Sequence, residues 1–168
     1  MATIRRLSPP DVESYRALRL RGLRECPSAF GRSFAEESKQ PLDTFLSRLQ
    51  RHPDTWTFGL FTAANQLIGT VSLVRFPNRK ERHKAGLYGL YVARPHRGHG
   101  GGRALLQAAI TQARRWRGLR QLQLGVNESN QPALRLYEPL GFERFGREKD
   151  ALKIGRVFHH ELHLALPL

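Results

Sequence analysis

The 168-residue sequence predicts an α/β (α+β) fold in which helices lie on both faces of a mixed, mostly antiparallel sheet. A strand, a glycine-rich turn, a helix and a second strand follow one another between residues 87 and 126. This order predicts a right-handed crossover and a central pair of parallel strands. Residues 55–62 and 67–76 are rich in β-branched and aromatic side chains and are joined by only four residues, which predicts an antiparallel hairpin. Since no repeat or linker interrupts the chain, we predict one domain over residues 1–168.

The N-terminal third predicts a strand followed by helices. Residues 2–7 form the expected strand, and Ser8 is the expected cap of a helix whose first turn carries Asp11. Residues 25–40 contain proline, glycine and serines without a clear period, which indicates an ordered loop or a broken helix. Residues 41–51 then show the apolar spacing of a short helix.

The C-terminal half contains the remaining strands and helices. Residues 77–84 are polar and basic, which is typical of a solvated hairpin tip. A long amphipathic helix should end near Trp116, and Asn130 is the expected cap of a helix that ends before Gly141. The remaining strands are expected at residues 121–126, 142–145 and 157–166.

Composition narrows the classes of protein that the chain can represent. Lys and Arg number 28 against 14 Asp and Glu, a net charge of +14, so either a solvated basic surface or a polyanionic ligand is expected. Basic residues are spread along the chain rather than gathered in a tail, which disfavours nucleic-acid binding. Cys26 is the single cysteine, which excludes an intrachain disulfide. Without an apolar leader or a run of membrane-spanning length, the sequence predicts a cytoplasmic protein.

The turn at residues 97–103 is the most distinctive stretch, because four of its seven residues are glycine. Glycine allows close approach to a ligand and positive φ. At the start of a helix, such a turn directs unpaired N–H groups and the positive end of the helix dipole at one place. The sequence therefore predicts an anion site, most often one for phosphate.

Three known phosphate or nucleic-acid patterns do not fit this turn. A P-loop would need Lys after Gly102, where Arg103 stands. The Rossmann pattern Gly-x-Gly-x-x-Gly fails in both frames. A disordered Arg/Gly segment that binds RNA is disfavoured by the apolar strand and helix on either side. The pattern that fits is Arg-x-x-Gly-x-Gly, formed by Arg97, Gly100 and Gly102.

With its surroundings, this pattern resembles the coenzyme-A-binding motif of the GNAT family of N-acetyltransferases. The strand motif Leu-Tyr-Val at residues 90–92 precedes it, and Asn130-x-x-Ala133 follows it. Leu-Tyr-Glu-x-Leu-Gly-Phe at residues 136–142 is similar to the family's Leu-Tyr-x-x-x-Gly-Phe ending. The resemblance covers residues 85–145 with specific motifs, whereas the N-terminal half matches only in layout.

The resemblance implies a GNAT-like fold, acetyl-CoA as co-substrate and specific roles for residues. Asn130 would bond the pantetheine arm, Tyr137 would act as general acid near the sulfur, and the Val92 N–H would stabilise the oxyanion. Main-chain groups of the preceding strand would bond the arm, and the turn would bind the pyrophosphate. The implied cofactor-binding residues are Leu90, Tyr91, Val92, Arg97, Gly98, His99, Gly100, Gly101, Gly102, Arg103, Asn130 and Tyr137.

The general base is left open by the sequence. Many family members carry Glu on the strand before the turn, but here Tyr88 is the only polar side chain there. The candidate bases are Glu36, Glu37, Glu81 and His83. His159, Glu161 and His163 alternate on one strand, a pattern that more often forms the polar side of a half-buried strand than a metal site, so no metal is expected.

The leading hypothesis is an acetyl-CoA-dependent N-acetyltransferase that acts on a primary amine of a small molecule or protein. The acceptor would enter between residues 25–40 and residues 77–84. The alternatives are a basic nucleic-acid-binding module and a degenerate CoA-binding sensor. No membrane partner is expected, and a homodimer could form through the last strand, residues 157–166.

Overall fold

The computed structural model describes residues 2–168, which form one seven-stranded sheet and five α-helices. The strands are β1 (Thr3–Arg6), β2 (Thr55–Phe61), β3 (Leu67–Arg75), β4 (Lys84–Val92), β5 (Gln121–Asn127), β6 (Glu143–Ile154) and β7 (Val157–Pro167). The helices are α1 (Val12–Glu25), α2 (Phe34–Glu37), α3 (Leu42–Leu49), α4 (Gly101–Arg115) and α5 (Gln131–Tyr137).

The sheet has the strand order β1-β2-β3-β4-β5-β7-β6. All neighbouring strands are antiparallel except β4 and β5, which confirms the predicted mixed sheet with a central parallel pair. The parallel contact is short, since it runs from Lys84 opposite Gln121 to Gly86 opposite Gln123. Both strands continue after this point without pairing with each other, although β4 still pairs with β3 and β5 with β7. The sheet therefore opens into a groove between the C-terminal halves of β4 and β5.

Two apolar clusters cover the two faces of the sheet, as predicted. The larger packs α4 and α5 against β2, β3, β4, β5 and β7, with Leu105, Leu106, Leu122 and Leu164 fully buried. The second packs α1 and α3 on the opposite face, around Phe45 and Leu23. No residue of β5, β6 or β7 belongs to the second cluster among residues 2–168. We call this part of the second face the open half-face.

The segment after α1 is ordered but irregular, as predicted for residues 25–40. A turn of 3-10 helix at Pro27–Ala29 is followed by α2, whose Ser33 cap accepts from the Glu36 N–H while Glu36 bonds back to Ser33. This reciprocal arrangement satisfies two free N–H groups at the start of α2. The segment is thereby held in place beside the groove.

Two expectations about the C-terminal strands are wrong. The strand expected at residues 142–145 runs to Ile154, because an exposed edge strand needs no apolar alternation to pair with β7. The last strand cannot offer a free edge to a second copy, since β7 lies between β5 and β6. The edges of the sheet are β1 and β6. In the described chain, no helix is both long and apolar enough to cross a membrane.

Candidate active site

A cavity of about 630 Å³ lies where β4 and β5 separate. One wall is the end of α1 and the turn after it, the second is the end of β4 with the glycine turn, and the third is the start of α5. The lining residues that the sequence predicted are Leu90, Tyr91, Val92, Arg97, Gly98, Gly100, Gly101, Gly102, Arg103 and Asn130. The lining residues from the first wall are Glu25, Cys26, Pro27, Ser28, Ala29 and Phe30.

The structure requires glycine at different positions of the turn for different reasons. Gly98 and Gly100 have φ values of 81° and 78°, in the left-handed region that L side chains rarely adopt. Their missing Cβ atoms would face open space, so the backbone is accessible to a ligand. At Gly101, by contrast, a Cβ would overlap the Leu60 side chain. Glycine there allows α4 to begin close against the sheet.

The start of α4 provides donors without acceptors. The first N–H that bonds within the helix is that of Ala104, which donates to the Gly100 carbonyl. Among residues 2–168, the six N–H groups from 98 to 103 have no backbone acceptor. The first turn of this 15-residue helix carries no acidic residue, and Arg103 adds positive charge. The arrangement favours a phosphate group at this position.

The two strand residues at the groove present their main-chain groups to it. The Ala93 N–H donates to the Ile68 carbonyl in β3, whereas the Val92 carbonyl accepts from Arg97 Nε on the groove side, at 2.7 Å. Because main-chain groups alternate along a strand, Leu90 and Val92 face the groove. The Tyr91 main chain is directed at β3 instead, so only its side chain contributes to the cavity.

A bulge in β4 sets this direction. The register with β3 shifts between Thr70 and Ser72, and Gly89 has a φ of 62°. The Gly89 carbonyl accepts a hydrogen bond of 3.4 Å from Thr70 Oγ1, which holds the bulge against β3. The extra residue rotates the following segment of β4 relative to the first half of the strand.

Asn130 and Tyr137 differ in their access to the cavity. Asn130 lines it, and its Oδ1 accepts from the Ala133 N–H as the helix cap, at 3.3 Å. Tyr137 does not line it, because the ring is buried and packs edge-on against Phe142. Burial raises the pKa of Tyr137 to about 12. A phenol with this pKa stays protonated at neutral pH and can act as a proton donor.

Three of the four candidate bases carry carboxylates that are already bound elsewhere, and none of the four lines the cavity. Glu37 is fully buried, with hydrogen bonds from Arg19 and Arg48. Glu36 is bound to the Ser33 cap, and Glu81 bonds Asn78 at the tip of the β3–β4 hairpin. His83 lies in the same hairpin loop. His99, expected at the cofactor, instead lines a smaller cavity on the β2 side of the turn.

Two residues at the groove have a place that the sequence did not predict, although Glu25 was among the acids expected to suit a cationic acceptor. Glu25, at the end of α1, lines the cavity and accepts a 2.6 Å hydrogen bond from the Tyr91 hydroxyl, which lowers the pKa of Glu25. Asn127, at the end of β5, is buried and donates to the Ser28 carbonyl, so it ties the first wall to the sheet. A structural role for Asn127 could have been suspected from the sequence, because it follows an apolar strand directly.

On the open half-face, the ligand atoms of Glu148, Glu161 and His163 lie within 4.8 Å of one another. This group differs from the three alternating residues of β7 that the sequence singled out. His159 is outside the group, and Glu148 joins it from β6.

A sheet that opens beside its one parallel pair, next to a helix start that can bind pyrophosphate, defines the class of CoA-dependent acetyltransferases. The chain belongs to the GNAT acetyltransferase family, whose model matches residues 21–142. The resemblance suggested by the glycine turn and by the Leu-Tyr and Gly-Phe motifs is therefore confirmed.

Relatives of known name share this assignment. A probable N-acetyltransferase of Bacillus subtilis, YjcK, is 26% identical over 132 residues, which cover 78% of this chain and 71% of that protein. A mycothiol acetyltransferase of Thermobispora bispora is 36% identical over 124 residues, covering 68% of this chain. The match spans only 40% of that longer protein.

Solved structures show the same fold. A GNAT-family acetyltransferase of Streptococcus pneumoniae matches with a TM-score of 0.87 and 23% identity over the whole of both chains. The Salmonella typhimurium acetyltransferase yncA, solved with acetyl-CoA, matches with a TM-score of 0.84 and 19% identity, over 100% of this chain and 94% of that one. Neither family nor relatives give support to the nucleic-acid-binding alternative.

Proposed function

We propose that this protein transfers the acetyl group of acetyl-CoA to a primary amine by direct attack of the amine on the thioester. The observation that carries the proposal is the continuity of the groove between β4 and β5 with the six acceptor-free N–H groups at residues 98–103. A diphosphate bound at the turn would place an extended arm along β4, where Leu90 and the Val92 N–H face the groove, while the Val92 carbonyl is bonded to Arg97.

The chemistry needs few groups from the protein. When the amine attacks the thioester carbonyl, negative charge develops on the oxygen, and the Val92 N–H is the donor placed on the groove side. The departing thiolate has an ordinary pKa of about 8.5 and needs only mild help from an acid. Tyr137 is the proposed donor, because a phenol is protonated at neutral pH and burial, which raises its pKa to about 12, keeps it so at alkaline pH as well. The preceding residue, Leu136, lines the cavity, whereas the Tyr137 ring is packed behind it against Phe142.

Asn130 and the arginines would complete the CoA site. Asn130 uses its Oδ1 for the cap of α5, and its amide nitrogen has no partner among residues 2–168. That nitrogen can donate to a carbonyl of the pantetheine arm. Arg97 and Arg103 flank the glycines and supply charge near the phosphates. These residues bind the cofactor through one continuous surface from the turn to α5.

The test measures release of the CoA thiol from acetyl-CoA with a panel of primary amines, together with acetyl-CoA affinity by calorimetry. The panel comprises ethylamine, spermidine, tyramine, an amino acid amide and a lysine peptide. The proposal expects saturable binding and amine-dependent release above the rate of hydrolysis. If acetyl-CoA binds but none of the amines causes release of the CoA thiol, acetyl transfer is contradicted and the sensor alternative is favoured. If acetyl-CoA does not bind, the CoA site itself is contradicted.

A further inference from the structure

Glu161 extends from β7 across the neighbouring strand. Its backbone lies opposite Asn127 in β5, and its carboxylate lies over Gly125. A methyl group at Gly125 would overlap that carboxylate, so glycine at this position is what allows the acid to lie on the strand. Any other residue there would displace it.

This place is the start of the groove. Pairing of β4 with β5 ends at Gly86 opposite Gln123, and Gly125 is the next residue of β5 on the same face. On β4, the corresponding position is Tyr88, one residue before the Gly89 bulge that turns Leu90 towards the groove. The Glu161 carboxylate therefore lies at the point where the two strands separate, on the face of the sheet opposite α4.

The surface above this carboxylate is partly covered. The turn at Pro27–Ala29 packs against β5 and β6, whereas α1 and α3 leave the rest of this half-face uncovered. Two large side chains beside it are exposed, Tyr88 at 53% and Phe145 at 59%, and Phe145 packs against His163 with ring centroids 6.1 Å apart. An amine that reaches Glu161 would come from the side of the sheet opposite α4.

The environment of Glu161 differs from that of the candidate bases. Glu36, Glu37 and Glu81 have lowered pKa values because hydrogen-bond donors hold their carboxylates, even where burial opposes it. Glu161 has no hydrogen-bond donor among residues 2–168, and burial raises its pKa.

The charged groups that face Glu161 are few. His163 on β7 lowers its pKa, and Glu148 on β6 raises it. On β5, the same face carries only the uncharged Gln121, Gln123, Gly125 and Asn127. No arginine or lysine bonds the carboxylate among residues 2–168, and His163 is the one basic side chain that acts on it.

We propose that Glu161 accepts the proton of the acceptor amine, and that cationic primary amines reach the thioester over the open half-face. The inference rests on the proposed acetyl transfer. One proton passes from the ammonium group to the Glu161 carboxylate, which leaves a neutral amine. The nitrogen lone pair then forms the C–N bond, the C–S bond breaks, and the thiolate receives a proton while the nitrogen loses its second excess proton to solvent.

The test compares two small amines as probes for Glu161→Gln. Ethylamine is protonated at neutral pH, as the lysine side chain is at a pKa of about 10.4. Methoxyamine is already neutral at that pH and needs no base. We expect the variant to lose about 100-fold in kcat/KM with ethylamine and only a few fold with methoxyamine. The acidic limb of the pH profile for ethylamine should also disappear.

Glu143→Gln is the matched control, since Glu143 is an exposed acid at the start of β6. It should keep both rates and the pH profile. Equal losses with the two amines in Glu161→Gln, or equal effects of the two substitutions, would overturn the assignment. Acetyl-CoA affinity, measured for each variant, should stay unchanged. If the unaltered protein releases thiol with neither amine, the proposed transfer activity is contradicted, and with it this inference.

Discussion

Arg97 Nε donates a hydrogen bond of 2.7 Å to the Val92 carbonyl, so the first residue of the glycine turn lies across the groove edge of β4. The same guanidinium lies 3.9 Å from Glu25 and 5.5 Å from the Tyr91 ring centroid. The turn, β4 and the end of α1 are thereby joined at one side chain. We therefore expect a ligand bound at the turn to affect the main-chain groups of β4 that would hold the pantetheine arm.

Arg97→Ala should weaken binding of acetyl-CoA by about 10-fold, since one charge-assisted contact is worth about 1.5 kcal/mol. Binding of acetyl-pantetheine, which lacks the diphosphate, should not weaken, because the substitution frees the Val92 carbonyl. Calorimetric titration with both ligands measures the difference. Arg114→Ala, an exposed position in the last turn of α4, is the control. Equal weakening for both ligands would contradict a phosphate role for Arg97.

Gly100→Asp should abolish acetyl-CoA binding, because it places a side chain and a negative charge where the diphosphate would lie. Gly155→Asp is the matched control, since Gly155 also has a positive φ, 60°, and open space at its Cβ. Both variants should lose a similar amount of stability, about 1 kcal/mol, from the left-handed backbone. Thermal shift with acetyl-CoA distinguishes them. Unchanged affinity in Gly100→Asp would remove the turn from the site.

Tyr137→Phe should lower kcat by about 100-fold and leave the KM for acetyl-CoA unchanged, as expected for a lost proton donor. Because burial raises its pKa to about 12, this group should cause no loss of activity as the pH rises to 9 or 10. Steady-state thiol release across this pH range is the measurement. Tyr15→Phe, at a buried tyrosine of α1, should leave kcat unaffected. A normal kcat in Tyr137→Phe would assign the ring to packing alone.

Glu37→Gln should destabilise the fold by about 3 kcal/mol, since it leaves Arg19 and Arg48 without their buried partner. Burial raises the pKa of Glu37, but the hydrogen bonds from both arginines outweigh it, and the net pKa is lowered. A lowered folded-state pKa means that this stability is fully present above the unfolded pKa of about 4.3 and is lost as pH falls through the folded value.

Urea unfolding at neutral and acid pH measures this contribution. Glu36→Gln, which alters only the exposed cap of α2, should cost about 1 kcal/mol or less. A destabilisation of Glu37→Gln no larger than that of Glu36→Gln would show that the buried ion cluster does not hold α1 to α3.

Much of this architecture could be predicted from local patterns. Residues close together in sequence determine the β2–β3 hairpin, the β4–α4–β5 crossover and the caps at Ser33 and Asn130. The glycine turn is also local, since its glycines indicate positive φ and its arginines indicate an anion. Many residues that line the groove could be predicted, because all but one of its walls derive from residues 90–136.

The acid on the open half-face could not be foreseen in the same way. Glu161 meets Gly125 only through pairing of β7 with β5, between segments that are 36 residues apart in sequence, and nothing in either segment indicates the register. The insertion of β7 between β5 and β6 likewise depends on long-range pairing. The candidate bases came from the two segments expected to admit the acceptor, and three of their carboxylates are bound to other side chains.

The most direct test of the account is a crystal structure of the protein with acetyl-CoA. The account predicts diphosphate oxygens within hydrogen-bond distance of the N–H groups at residues 98–103, and the thioester between Val92 and β5. The thioester carbonyl should face the Val92 N–H, with the open half-face leading to its carbon. Acetyl-CoA bound away from the β4–β5 groove, or with its thioester turned away from Val92, would contradict it.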